Sequence, residues 1–222
     1  MPTPQGSSLW DREQVSRPDR PWANTTHDWS RDLDVDHLRE VREQPERYAP
    51  TGALHLVLEV VAYAADEAEA RHRRGRCLIE LAPDGSILIV DDGRGTDTRR
   101  SPTGAVVRKP IMATRDLRFF DAETPPLLGD GHARRGISVV AALSTTLDHV
   151  NRRHDGAWSQ TYRDGLPVGG LVDVAGDGTT DTTVRFTPCR AVRDLGEADG
   201  ECIHAGVAHL RGLLDVVVDD QR

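Results

Sequence analysis

Lysine is nearly missing from this chain: of its 28 Lys and Arg residues, one is a lysine, Lys109. No glycine-rich loop ends in Lys followed by Ser or Thr, so a P-loop nucleotide site is excluded. Cysteine is scarce too. Cys77, Cys189 and Cys202 stand far apart with no C-x-x-C, which suggests neither a disulfide framework nor a cysteine zinc site and fits a reducing cytoplasm. No apolar run approaches the ~18 residues that a membrane span needs. The opening MPTPQGSSLWDREQ lacks the charged and apolar parts of a signal peptide. The expectation is a soluble cytoplasmic protein with no membrane partner. Positive charge is also in deficit. A net charge of -8 argues against a whole-surface affinity for nucleic acid, and the local stretch RHRRGR (71–76) reads as a solvated loop before it reads as a DNA contact.

What is present is enough apolar material, 37% of 222 residues, to bury a substantial core, and a single domain over 32–222 is expected. Residues 1–31 are rich in Pro, Ser, Asp and Arg and show no period that buries a face. They read as a flexible arm, whose Trp10, Trp22 and Trp29 give it a reason to dock on its own domain or to join a second copy of the chain in a homodimer.

Leu33, Leu38 and Val41 fall near a helical period that Pro45 closes. A longer helix is expected over 54–74, ended by Gly75, with Leu54, Leu58, Val61, Ala65 and Ala68 as its core stripe and Glu59, Tyr63 and Glu67 on a second face. RCLIELAPDGSILIVDDGRG reads as a hairpin about PDGS. A polar loop over 96–109, a helical stretch near 110–120 and a long Gly- and Pro-containing lid lead to a helix, ISVVAALSTTL, opened by Gly136. Four strand-like runs follow, TLDHVNRR, AWSQTYRDG, GLVDVAG and TTVRFTP, separated by HDG, LPVGG and GDGTTD turns, and then a helix passing into a last strand. GDGTTD lacks the acidic ligand count of a calcium loop. His204 and His209 miss the one-turn spacing of a helical metal pair.

Four places can carry chemistry. Asp91 ends a strand and precedes Gly93, Arg94, Gly95 and Thr96; a carboxylate fixed there can accept a hydrogen bond from a ligand amine, although the same residues also make a plain acidic turn. Glu59 is either a general base over a pocket or a surface charge, with Glu67 two turns on to pair with Arg94. GDGHARRG, with Gly131 and Gly136, precedes a helix start whose N–H groups favour anions such as phosphates. Thr182 and Thr183 lie on a late strand, where β-branched residues are at home in any case.

The order of these features resembles the Bergerat ATP-binding fold of the GHKL ATPases, and most closely the ATPase domains of gyrase B and topoisomerase IV. LREVREQPERYAPTGALHLVLEVVAYAADEA, ILIVDDGRGT, PIMATRDLRFF, GHARRGISVVAALS, DGAWSQTYRDGLP and TTVRFTP are similar to that family's segments in the same order, over roughly residues 33–220. The resemblance implies an α+β two-layer sandwich, helices on one face of a mostly antiparallel sheet, with a pocket for ATP or ADP between helix 54–74 and the sheet. It implies Glu59 as catalytic base and Asp91 as the adenine-recognising carboxylate. Gly93 and Gly95 lie beneath the ring, Arg94 and Glu67 support it as an ion pair, and Thr182 and Thr96 lie near the adenine. Gly131 and Gly136 match phosphate-lid glycines.

The departures point to a degenerate copy. Tyr63 replaces the family's Mg²⁺-holding asparagine and Ala62 the aspartate before it; a phenol is a poor ligand for a hard cation. Arg134 stands at the central lid glycine, and the lid lysine gives way to the neighbourhood of Arg118 and Phe119. The chain stops where the family's transducer, with its phosphate-contacting lysine, begins. The expectation is therefore a nucleotide-binding protein with weak or absent hydrolysis, doubtful Mg²⁺ binding and no complete topoisomerase activity. The alternatives are a decoy or interaction module acting on gyrase or on gyrase-directed inhibitors, and an ATPase that depends on a partner protein.

Overall fold

A computed structural model describes residues 33–96, 111–120, 122–154 and 156–222. The arm expected over 1–31 and all but the first residue of the loop expected over 96–109 lie outside the described residues. Seven strands form one sheet: β1 (Gly75–Leu81), β2 (Ile87–Asp91), β3 (Ser144–Arg153), β4 (Gly156–Arg163), β5 (Leu166–Asp173), β6 (Asp181–Pro188) and β7 (Leu214–Asp220). Their order is β5-β4-β3-β6-β2-β1-β7, and every neighbouring pair is antiparallel except β1 with β7. Alternation along the strands explains the layers. Ile79, Ile89, Leu147, Val184 and Phe186 are buried, while Asp148 and Arg185 on the intervening positions are exposed. The fold is the expected α+β sandwich.

The helices are α1 (Val35–Glu43), α2 (Pro45–Tyr48), α3 (Ala53–Ala70), α4 (Leu117–Phe120), α5 (Ile137–Ala142), α6 (Arg190–Leu195) and α7 (Gly200–Gly206). Asp34 caps α1 by accepting the His37 N–H at 3.3 Å. Pro45 does more than stop α1; it occupies the first turn of α2, where its missing N–H is harmless.

Helix α3 lies across the layer, and its expected stripe needs correction. Leu54 is only partly buried, whereas Leu56, Val57, Val60 and Ala64 are buried along with Leu58 and Val61. A helix with the sheet beneath it and α5 and α7 beside it has no single apolar face. It also ends at Ala70 rather than at 74, because His72 turns into the left-handed region at φ 50° and the chain swings into β1.

Two further expectations fail at boundaries. Helix α5 stops at Ala142, and Ser144 to Leu147 already pair with β6. LPVGG belongs to β5; the turn before it is Asp164–Gly165, both with positive φ, as a tight hairpin requires. Among the described residues no helix is long and apolar enough to cross a membrane.

Candidate functional site

The end of β2 forms one half of the site. Antiparallel pairing sets Asp91 opposite Thr182 on β6, and both residues are half-buried. The Gly93 N–H donates to Asp91 Oδ1 at 2.8 Å. A Cβ on Gly93 would lie 2.5 Å from Asp91 Oδ1 and 2.8 Å from Glu67 Cγ, so the protein's own packing demands glycine there. Glu67 grips Arg94 through Nε at 2.6 Å and Nη2 at 3.1 Å, and accepts the Arg94 N–H at 3.0 Å. Burial pulls the Glu67 carboxyl upward, but these bonds outweigh it and hold the group below its ordinary range. Asp91 behaves oppositely. Burial pushes its carboxyl up, the Gly93 N–H opposes this, and the Glu67 and Asp181 charges add to it, leaving Asp91 at about 7.

Beyond Arg94 the backbone is held from β3. Gly95 has φ 75°, and a Cβ there would lie 2.6 Å from Asn151 Oδ1 and 2.7 Å from the Arg152 carbonyl. The Asn151 side chain accepts the Thr96 N–H and donates to the Thr96 carbonyl at 3.1 Å, while Arg153 donates to the Gly95 carbonyl at 3.0 Å. Asn151 escaped the sequence reading. Its signal was a polar residue at an inward position of β3, in phase with Leu147 and His149.

The start of α5 forms the other half. Glu59 is fully buried and accepts the N–H groups of Arg135 and Gly136, the latter at 2.8 Å. The Tyr63 hydroxyl accepts the Ile137 N–H at 3.2 Å and donates to the buried Asp116 at 2.8 Å. Burial first, then the Asp116 charge, pushes the phenol well above its ordinary range, so it stays neutral. Gly136 has φ 96°, and a Cβ there would sit 3.0 Å from both the Tyr63 hydroxyl and Asp116 Cβ. Arg134 is 6% exposed and donates to both oxygens of Asp66, at 2.9 and 2.8 Å. Its guanidinium lies over the Tyr63 ring at 4.6 Å and the Phe119 ring at 4.3 Å. Arg118 in turn bonds Asp116 at 2.8 Å.

Behind Glu59 lies an imidazole that the sequence reading also missed, although His55 and Glu59 are one turn apart. His55 Nδ1 is 2.7 Å from Asp130 Oδ2, and Nε2 is 3.5 Å from Glu59 Oε1. Burial lowers its pKa, but bonding to Asp130 and Glu59 prevails and raises it to about 9, so the ring is cationic at neutral pH. Thr51 supports Asp130 by donating at 2.7 Å. Among the described residues, no group of three or more His, Cys, Asp and Glu side chains is arranged to hold a metal ion.

The comparisons agree with this geometry at the level of family. The B subunit of DNA gyrase from Micrococcus luteus is 33% identical over 197 residues, covering 85% of this chain and 27% of that protein. Its counterpart in Mycobacterium tuberculosis is 35% identical over 177 residues, covering 76% of this chain and 25% of that protein. Among solved structures, the ATP-binding domain of topoisomerase IV from Francisella tularensis, in complex with a small-molecule inhibitor, shares the fold with a TM-score of 0.62. It is 23% identical and covers 83% of this chain and 51% of that one. The chain is a gyrase B-like member of the GHKL, or Bergerat-fold, family. No family model matches it. It spans about a quarter of the length of these gyrase relatives.

In this GHKL domain the residues singled out from sequence fall at two places joined by α3. Glu67, Asp91, Gly93, Arg94, Gly95, Thr96 and Thr182 gather at its carboxyl-terminal end. Tyr63, one turn earlier, and Glu59, two turns or roughly 12 Å earlier along the axis, meet the segment at Gly136. Gly131 stands apart, its N–H donating to the Leu128 carbonyl at 2.9 Å and its side-chain position facing open space.

Proposed function

We propose that this chain binds an adenine nucleotide, ATP or ADP, with weak or absent hydrolysis. The observation that carries this reading is the carboxylate of the half-buried Asp91 at the end of β2, fixed by Gly93 and flanked by the Glu67–Arg94 pair, in a chain a third identical to gyrase B. Ionised, Asp91 accepts the amine of an adenine ring beside Thr182; with its pKa at about 7, that acceptor strengthens as pH rises through neutrality.

The donor set does not fit Mg²⁺. The Tyr63 hydroxyl donates its proton to Asp116, Glu59 satisfies two backbone N–H groups, and Asp66 and Asp116 are bonded to Arg134 and Arg118, so these oxygen ligands at this end of α3 are already engaged. Both Glu59 oxygens are engaged, so water activation by this carboxylate requires the 134–137 segment to release them. Calorimetry with ATP on the wild type and on Asp91→Ala tests the reading. A saturable heat that disappears in the variant is expected; equal heats from both proteins would refute the adenine contact.

The second reading, a non-catalytic decoy or interaction module for gyrase or its inhibitors, draws on the same engaged Glu59 and Tyr63. An ATPase completed by a partner, with Arg134 or Arg135 in place of lysine, comes third, and homodimerisation through residues 1–31 is compatible with each of the three.

A further inference from the structure

Each backbone N–H from Arg135 to Ile137 is already bonded to α3. Arg135 and Gly136 donate to Glu59, and Ile137 donates to Tyr63. Three side-chain cations of this end are bonded to acids as well, and a fourth, Arg135, lies against a ring. Arg134 has both terminal nitrogens on Asp66, Arg118 is on Asp116, His55 lies between Asp130 and Glu59, and Arg135 lies over the Phe120 ring at 5.9 Å. Of the cations named, three are thus held by the four carboxylates Glu59, Asp66, Asp116 and Asp130, which leaves Arg135 to set against a phosphate's charge. A phosphate brought here must displace Glu59 from N–H groups that it satisfies, and must face Asp66 and Asp116 besides; the displaced carboxylate would stay buried with His55, 3.5 Å away and shared with Asp130, as its remaining partner, which is unfavourable.

The Asp91 end has no such closure. Among the described residues the Gly93 N–H is the one hydrogen bond to its carboxylate, and the residue is half-buried. The two ends share one ruler. Glu67 packs beside Gly93, and Glu59 lies two turns back on the same face of α3, so a ligand held by its base at Asp91 and lying along the helix carries whatever follows its sugar against residues 134–137.

We infer that this site selects ligands of the nucleoside class, a flat heteroaromatic ring with an amine donor and no phosphate, over nucleoside triphosphates, and that it does so without Mg²⁺. The inference rests on the adenine reading of Asp91 and keeps ATP as a ligand of the same site, the weaker of the two. The Arg134–Asp66 clamp is what keeps the phosphate end closed; opening it moves the preference toward ATP.

Titration calorimetry of the full chain with adenosine and with ATP, each with and without Mg²⁺, tests this. Adenosine is expected to bind at least as tightly as ATP, with Mg²⁺ changing neither by more than about twofold. Asp66→Asn, with Asp66→Ala as a second variant, is expected to tighten ATP relative to adenosine by about tenfold, the scale of one charge-assisted hydrogen bond. ATP binding tenfold tighter than adenosine in the wild type overturns the inference and leaves the Asp91 reading standing. An unchanged ratio in both Asp66 variants overturns it too. Binding of neither ligand, or adenosine binding untouched by Asp91→Ala, overturns the adenine reading and the inference with it.

Discussion

Asp91 combines two demands that oppose each other. To accept a ligand amine it must be ionised, yet burial and the neighbouring Glu67 and Asp181 charges hold its pKa at about 7, above the ordinary carboxylate value of 3.8. The folded state therefore binds this proton more tightly than the unfolded chain does. Its contribution to stability is complete below the unfolded pKa, is lost as pH rises toward about 7, and above that the ionised group is a net cost. Asp91→Asn keeps an oxygen for the Gly93 N–H and removes the charge. It is expected to stabilise the fold by about 1 to 2 kcal/mol at alkaline pH, less than the full shift implies because water reaches the side chain. The gain should grow between about pH 4 and 7 and then level off. Melting curves across that range check it: a gain that is constant, or that shrinks with pH, removes the explanation.

At the scale of elements, the contact between the loop after β2 and strand β3 positions the proposed base end. Gly95 sits where a Cβ would strike Asn151 and the Arg152 carbonyl, in a backbone conformation at φ 75° that disfavours every other residue. Gly95→Ala is expected to lower stability by ~1–3 kcal/mol and to weaken nucleotide binding, because Thr96 and Arg94 lose their register with β3 and Glu67. Denaturant unfolding checks the first part; an unchanged midpoint would mean that the β3 contacts do not hold the loop. This junction also shows what was legible. PDGS between alternating apolar runs announced the β1–β2 hairpin, and the strand ending at Asp91 followed directly. The family resemblance supplied the candidate ligand face. The α5–β3 boundary was hidden, since no breaker separates Ala142 from Ser144 and pairing with β6 decides the matter. The clamp was hidden for a related reason: Arg134 and Asp66 are 68 residues apart, and local periodicity carries no information about such a meeting. Burial of α3 on several sides likewise blurred the single stripe that a surface helix would have shown.

For the whole molecule, charge is the property that reaches beyond the site. A net charge of -8 gives the surface no general attraction for phosphate backbones, and the basic stretch between α3 and β1 is tied to its own acidic neighbours. Arg71 donates to the Asp92 carbonyl at 2.7 Å, Arg73 pairs with Asp92 at 2.8 Å and Arg74 with Asp215 at 3.6 Å. The two ion pairs, of Arg73 and Arg74, contribute little to stability, yet each also cancels a charge that DNA would need. Nucleic-acid binding by this chain is therefore expected to be weak, with a dissociation constant no tighter than the ~10⁻⁴ M end of nonspecific binding at ~150 mM salt. Fluorescence anisotropy with a labelled duplex measures it. Micromolar binding at that salt, abolished by Arg73→Glu, would show that the arginines leave their acidic partners for phosphate, and the charge balance would then have to be read as a switchable surface instead of a neutralised one.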